Sequence, residues 1–241
     1  MKRLRIRLTT GPVAIFGAAF VIALILFLPM RLALGGLSRT GLTAREVRGS
    51  VWLGSLSEAH FGMLDLGDLR ARLSPVQLFV GRARVSLDGR DDPPARAIHG
   101  AIGISRHSFG LDDLTGTLAA GTVFAPVPVS AIDLDDVSVR FQDGVCQTAE
   151  GRVRATLSGN AGGITLGEGL AGTARCDAGA LLLPLASQSG TEAVALRLWP
   201  TGRYRAELTV QPTDPATAAK LQLSGFQQSG NAYLLAIEGR F

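Results

Sequence analysis

A mainly β fold carried behind one N-terminal transmembrane helix is what this sequence predicts, on three observations. An uncharged, mostly apolar run extends from Leu8 to Met30. Alternating or β-branched segments recur from Val47 onward, separated by turn residues. The 30 glycines and 11 prolines among 241 residues punctuate the chain at intervals suited to short strands. The expected body is a largely antiparallel sheet with one or two short helices.

At about 1.5 Å per residue, a helix over Leu8 to Met30 covers roughly 34 Å, against a hydrocarbon core of about 30 Å. Lys2, Arg3, Arg5 and Arg7 precede the run, and only Arg31 and Arg39 follow soon after. The positive-inside bias therefore puts the N-terminus in the cytoplasm and the rest across the membrane. The expected layout is a basic tail over residues 1–10, a signal anchor in the inner membrane over 11–34, and a β-rich domain over 35–241, periplasmic in a Gram-negative bacterium. The competing reading is a cleaved signal peptide, whose apolar core usually has about 7 to 15 residues. This run is longer, and Arg31 sits where such a peptide disfavours charge.

Charge separates the two parts. The formal net charge is +4, and the four basic residues before Leu8 account for it, leaving 20 Lys plus Arg against 20 Asp plus Glu in the remainder. A neutral domain has little counterion-release drive toward nucleic acid, and no nucleic-acid partner is expected.

After a flexible exit from Gly35 to Gly41, Val47 to Leu56 begins the strand series. Ser74 and Pro75 ahead of Val76–Val80 read as an N-cap with proline in the first turn, closed by Gly81. Strand patterns follow at Ala97–Ile104, Val127–Phe141, Val145–Leu157, Ile164–Arg175, Ala193–Trp199 and Arg203–Val210. Loops over residues 91–94 and 187–190 separate some of them. Asp214 and Pro215 open a second short helix over Ala216–Ser224, stopped by Gly225, and Ala232–Arg240 is a last strand.

A faint echo starts at Gly81, Gly151 and Gly202: glycine, then arginines two residues apart at Arg82 and Arg84, Arg152 and Arg154, and Arg203 and Arg205. Residues two apart on a strand share a face, so each pair is expected to point outward. Such pairs either solvate a strand face and discourage edge pairing or contact an acidic partner. Trp52, beside a tight turn at Gly49, is either a core anchor or a partner contact.

Catalytic patterns are scarce. Gly167 to Gly172 matches GxGxxG literally, but the following residues read as strand and turn rather than as a phosphate-binding helix. His60, His99 and His107 have no metal-ligand spacing, and the acids nearest them look solvated. No catalytic residue, metal or cofactor is expected. Cys146 and Cys176 are the only cysteines, and across the membrane a disulfide between them is favoured, with a metal pair or free buried thiols as alternatives. Closing a loop of about 31 residues would stabilise the fold by roughly 3.5 kcal/mol.

Several stretches, in order, carry a resemblance. They are Gly49 to Gly54, Cys146 with Ala149 to Gly151, Cys176 to Leu185, Gly202 to Tyr204, Leu223 to Phe226, and Tyr233 to Phe241. With the anchor, they resemble the type II secretion system protein N family and its AsmA-like relatives; residues 89–126 depart from the pattern. The resemblance implies an accessory inner-membrane component that works through periplasmic contacts with other type II secretion components, and it implies no catalytic residue. It also implies that the antiparallel sheet is curved, in an open, groove-like β architecture. A rival function is therefore an AsmA-like carrier binding lipid or another hydrophobic ligand in a β-groove. A periplasmic enzyme would require the histidines to converge with acids in a cleft.

Overall fold

The computed structural model describes residues 14–20, 23, 27–30, 42–62, 64–90, 97–158, 160–161, 164–165 and 169–240. Of the expected anchor, residues 14–20 and 23 are helical, and much of the rest lies outside the described residues. Among the described residues, no helix is long and apolar enough to cross a membrane.

Strands dominate, as expected. The first eight are β1 (Leu42–Ser50), β2 (Leu53–Phe61), β3 (Leu64–Leu73), β4 (Ala83–Gly89), β5 (His99–Ile104), β6 (Ser108–Ala119), β7 (Val129–Gln142) and β8 (Val145–Leu157). A separate pair, β9 (Asn160–Ala161) and β10 (Ile164–Thr165), precedes β11 (Gly169–Thr173), β12 (Arg175–Asp177), β13 (Ala180–Ala186), β14 (Glu192–Leu198), β15 (Arg203–Val210), β16 (Gln227–Ser229) and β17 (Ala232–Arg240). Fifteen strands form one sheet in the order β1 to β8, then β11, β13, β14, β15, β17 and β16, with β12 beside β13. Sequential neighbours joined by turns pair antiparallel almost throughout, the arrangement that short connections permit.

Two short helices accompany the sheet. Helix α1 (Pro75–Phe79) is a single turn with no buried residue, and Ser74 makes no side-chain cap bond there. Helix α2 (Pro215–Leu223) is properly capped: Asp214 accepts bonds from the Thr217 hydroxyl at 2.6 Å and the Thr217 N–H at 2.8 Å. These bonds, the hydroxyl's foremost, hold the Asp214 carboxyl below its ordinary range.

Alternation along the strands separates two faces. The register sets Val153, Ala155, Leu170, Leu183, Leu185, Val194, Leu196, Ala206 and Leu208 on one face, and their side chains meet in the larger of two apolar clusters. Val123 and Phe124, from the connection between β6 and β7, complete that cluster together with Leu221 of α2 and Phe226. The smaller cluster gathers Leu56, Leu69, Ala71, Ile98 and Leu114 with Met30, and Leu118 and Leu134 pack against both clusters.

Several strand expectations are refined. Val47 to Leu56 is a hairpin, with Val51 and Trp52 in its turn. Ile164 to Arg175 is broken among β10, β11 and β12. Residues 89–126 contain β5 and β6, the latter twelve residues long, despite their glycines and prolines. β13 carries Pro184 at the point where its partner on one side changes from β12 at Leu182 to β11 at Ala186, so the missing N–H interrupts no ladder there.

The strands are bent by bulges whose left-handed residues are held across the sheet. Asp113 (φ 52°) donates its N–H to Ser138 Oγ at 2.9 Å, and Asp136 (φ 56°) donates to Thr115 Oγ1 at 3.1 Å. Next to them on β8, Gly151 has φ 112°, and an added Cβ would lie 2.5 Å from Val137 Cα, so only glycine fits without displacement.

Candidate functional site

The polar face is where the sequence-predicted arginines lie. Register carries Arg154 across Ala171, Ala186 and Ala193 to Thr209, and carries Arg205 beside Arg197, so the pairs of β8 and β15 share that face. Three intervening strands keep the two pairs apart. Arg152 is exposed and bonds Asp135 at 2.8 Å, and exposed Arg154 lines a shallow cleft with Asp133, Thr156 and Glu192. Arg205 is half-buried between Glu207 at 2.7 Å and Glu238 at 3.2 Å, while exposed Arg203 stacks 5.5 Å over the Trp199 ring. Of the first pair, Arg84 bonds Asp112 at 2.8 Å on β4, and Arg82 lies exposed in the turn before that strand. Trp52 is half-buried in the β1–β2 turn.

A denser basic site forms elsewhere. Arg48 of β1, Arg70 and Arg72 of β3, and Arg90 just beyond β4 line a cleft of about 450 Å³ with Leu53, Gly54 and Ser55. Arg48 bonds Glu46 at 2.7 Å, and among the described residues no acid forms an ion pair with Arg70, Arg72 or Arg90. Four guanidiniums around one concavity suit a planar oxyanion such as a carboxylate or a phosphate. Sequence reading missed this site, although Arg70 and Arg72 repeat the two-apart spacing of the echo. They lack its leading glycine, and Arg48 and Arg90 join them only through strand pairing.

The histidines do not converge. His60, His99 and His107 each face a different aspartate, Asp65 at 3.5 Å, Asp88 at 2.8 Å and Asp143 at 3.2 Å, on exposed surfaces. Among the described residues no group of His, Cys, Asp and Glu could hold a metal ion. Gly169 to Gly172 lie within β11, not at a helix start.

Cys146 and Cys176 are joined in a disulfide with their Cα atoms 5.5 Å apart. Its position is informative. β8 pairs β11 from Arg152 to Thr156, but β12 pairs only β13, so the N-terminal half of β8 has no ladder on that side. Two backbone bonds cross the gap, from Ala174 N–H to Gly151 O at 3.0 Å and from Cys146 N–H to Gly179 O at 2.9 Å. The disulfide closes the fork between them.

A charged face over a filled apolar interior, stapled by a disulfide, defines a β-sheet scaffold. The chain belongs to the type II secretion system protein N family, whose family model matches residues 40–236. It is therefore a component of type II secretion. Over 229 residues it is 25% identical to the type II secretion system protein N of Vibrio cholerae serotype O1 (strain ATCC 39315 / El Tor Inaba N16961), covering 89% of this chain and 90% of that protein. No solved structure matches.

Proposed function

We propose that this chain is an accessory, inner-membrane-tethered component of the type II secretion machinery whose sheet makes protein contacts in the periplasm. Residues 1–10 are its cytoplasmic tail, 11–34 its anchor and 35–241 its periplasmic domain. The observation that carries the reading is the family match over residues 40–236. Confinement by the anchor raises the domain's effective concentration near other envelope components, so modest contact affinities suffice. The exposed members of the arginine pairs, Arg82, Arg152, Arg154 and Arg203, and the turn residue Trp52 supply contacts to acidic or aromatic partners; Arg84 and Arg205 mainly order their neighbours.

The test is deletion of the gene in its host with assay of secreted exoproteins, plus in-cell photocrosslinking from positions 152 and 203. Reduced secretion and adducts to other secretion components are expected. Unchanged secretion together with no such adduct refutes the reading.

The lipid-carrier alternative needs a continuous open apolar face. Phe124, Leu221 and Phe226 fill that face across β7 to β17, each at most 5% exposed, which favours the contact reading.

A further inference from the structure

The exposed apolar side chains of the sheet are not scattered. The antiparallel order brings the β1–β2 turn, the α1 connection between β3 and β4, and the β5–β6 and β7–β8 turns to one end of the strands. That end carries Phe79 (92% exposed), Val76 (73%), Val80 (72%) and Leu53 (65%). It is also the end reached by the last residues of the apolar N-terminal run: Val51 donates its N–H to Leu28 O at 3.0 Å, Pro29 bridges Ser50, and Met30 is buried in the smaller cluster. Exposed Arg72 and Arg82 flank α1, no acid occurs from Leu73 to Ala83, and the four-arginine cleft opens beside the same β1–β2 turn.

We infer that this end of the sheet beds on the anionic surface of the membrane that holds the anchor, with the α1 tip inserted among the lipids and the arginines against headgroup phosphates. The inference rests on reading the N-terminal run as an anchor. A bilayer is the favoured occupant because the run that would cross it is bonded to this very end. An apolar tip ringed by arginines is suited to an interface where aliphatic side chains enter and cations stay at the phosphates. The opposite end of the longest strand, the 14-residue β7, lies roughly 45 Å away at about 3.3 Å per residue, so the proposal fixes how the domain stands on the membrane.

The experiment uses the full chain carrying the photoreactive amino acid benzoylphenylalanine at position 79, reconstituted in vesicles of phosphatidylethanolamine with one quarter phosphatidylglycerol. Phe79 packs against nothing that the probe would displace. Matching proteins carry the probe at Phe20, within the anchor, and at Leu223, 90% exposed at the far end of the strands. Lipid adducts are expected at 20 and 79, those at 79 on the order of tenfold above those at 223, and they should fall several-fold when phosphatidylcholine replaces phosphatidylglycerol. Adducts at 20 with none above the Leu223 level at 79 would overturn the inference and leave the anchor standing. Absence of adducts at 20 would refute the anchor and this inference with it. The same protein in cells should again yield lipid adducts at 79; protein adducts in their place would assign the tip to a protein partner and overturn the bilayer.

Discussion

Removing the disulfide should loosen one identifiable fork in the sheet. The perturbation is the double variant Cys146→Ala and Cys176→Ala, alanine being chosen so that no hydroxyl is placed at Cys146, which is only 6% exposed. The bond joins residues 30 apart, and the chain-entropy model gives about 3.5 kcal/mol for restoring that loop's freedom to the unfolded chain. The sulfur volume lost beside the larger cluster adds up to about 1 kcal/mol. At a urea slope of about 2.5 kcal/mol/M, a total loss of about 3.5 to 4.5 kcal/mol lowers the unfolding midpoint by roughly 1.4 to 1.8 M. The assay is equilibrium urea unfolding of the full chain in detergent, with wild type under reducing conditions as a second route to the same state. Hydrogen exchange supplies the location: protection should fall first at residues 145–151 and 175–179, where, on the β12 side, backbone bonds reach β8 only from the residues flanking β12, Ala174 and Gly179. A midpoint change below about 0.3 M, or protection lost evenly across the sheet, would refute the argument that the bond substitutes for a missing ladder.

Three further outcomes test the packing. Gly151→Ala should destabilise by about 2 kcal/mol or more, because a Cβ at φ 112° meets the backbone of Asp136 and Val137; a midpoint equal to wild type in the same urea assay would mean the β7–β8 bulge yields freely. Leu221→Ala removes a fully buried side chain from the larger cluster and should cost about 2 to 5 kcal/mol in thermal or urea unfolding, whereas its exposed neighbour Leu223→Ala should stay within about 0.5 kcal/mol. Because the Asp214 carboxyl is held below its ordinary range in the folded protein, its contribution to α2 is complete above the unfolded carboxylate value near 4 and is lost as pH falls through the lower folded value. Protection of the Thr217 N–H, measured against its intrinsic exchange rate at each pH, should therefore fall on acidification below about pH 4 in wild type, and Asp214→Asn, which keeps an acceptor without the titration, should flatten that response.

The legible parts of the fold were those where local pattern and tertiary role agree. β17 alternates throughout and β8 does so from Ala149 onward, and their expected ends coincide with the observed ones. β6 was missed because the bulge at Asp113 sets Leu111 and Leu114 three apart while both are partnered on β7, so a strand there does not show a period of two. β13 was hidden differently: its run of three leucines does not alternate, and Pro184 argues against a central strand unless the change of partner is known. The arginine cleft was beyond sequence reading for a third reason. Arg48 and Arg90 are far apart along the chain, and only the pairing of β1, β2, β3 and β4 assembles them.

The bulges and the disulfide act as one device. Asp113 on β6, Asp136 on β7 and Gly151 on β8 lie on successive strands, and Gly151 O accepts from Ala174, the residue that separates β11 from β12. Each bulge shifts the register of the strand beyond it, and by β8 the two halves of the strand no longer share one neighbour. The gap between β8 and β12 lies toward the β7–β8 turn, where the Cys146 N–H bond to Gly179 O and the disulfide close it, at the end of the sheet that also carries α1 and meets Leu28 and Pro29. A split sheet end facing a membrane would expose unpaired N–H and C=O groups where water is scarce, a costly arrangement. The covalent bond therefore stands where the sheet's hydrogen bonding is thinnest, and an oxidising compartment is the setting in which it persists.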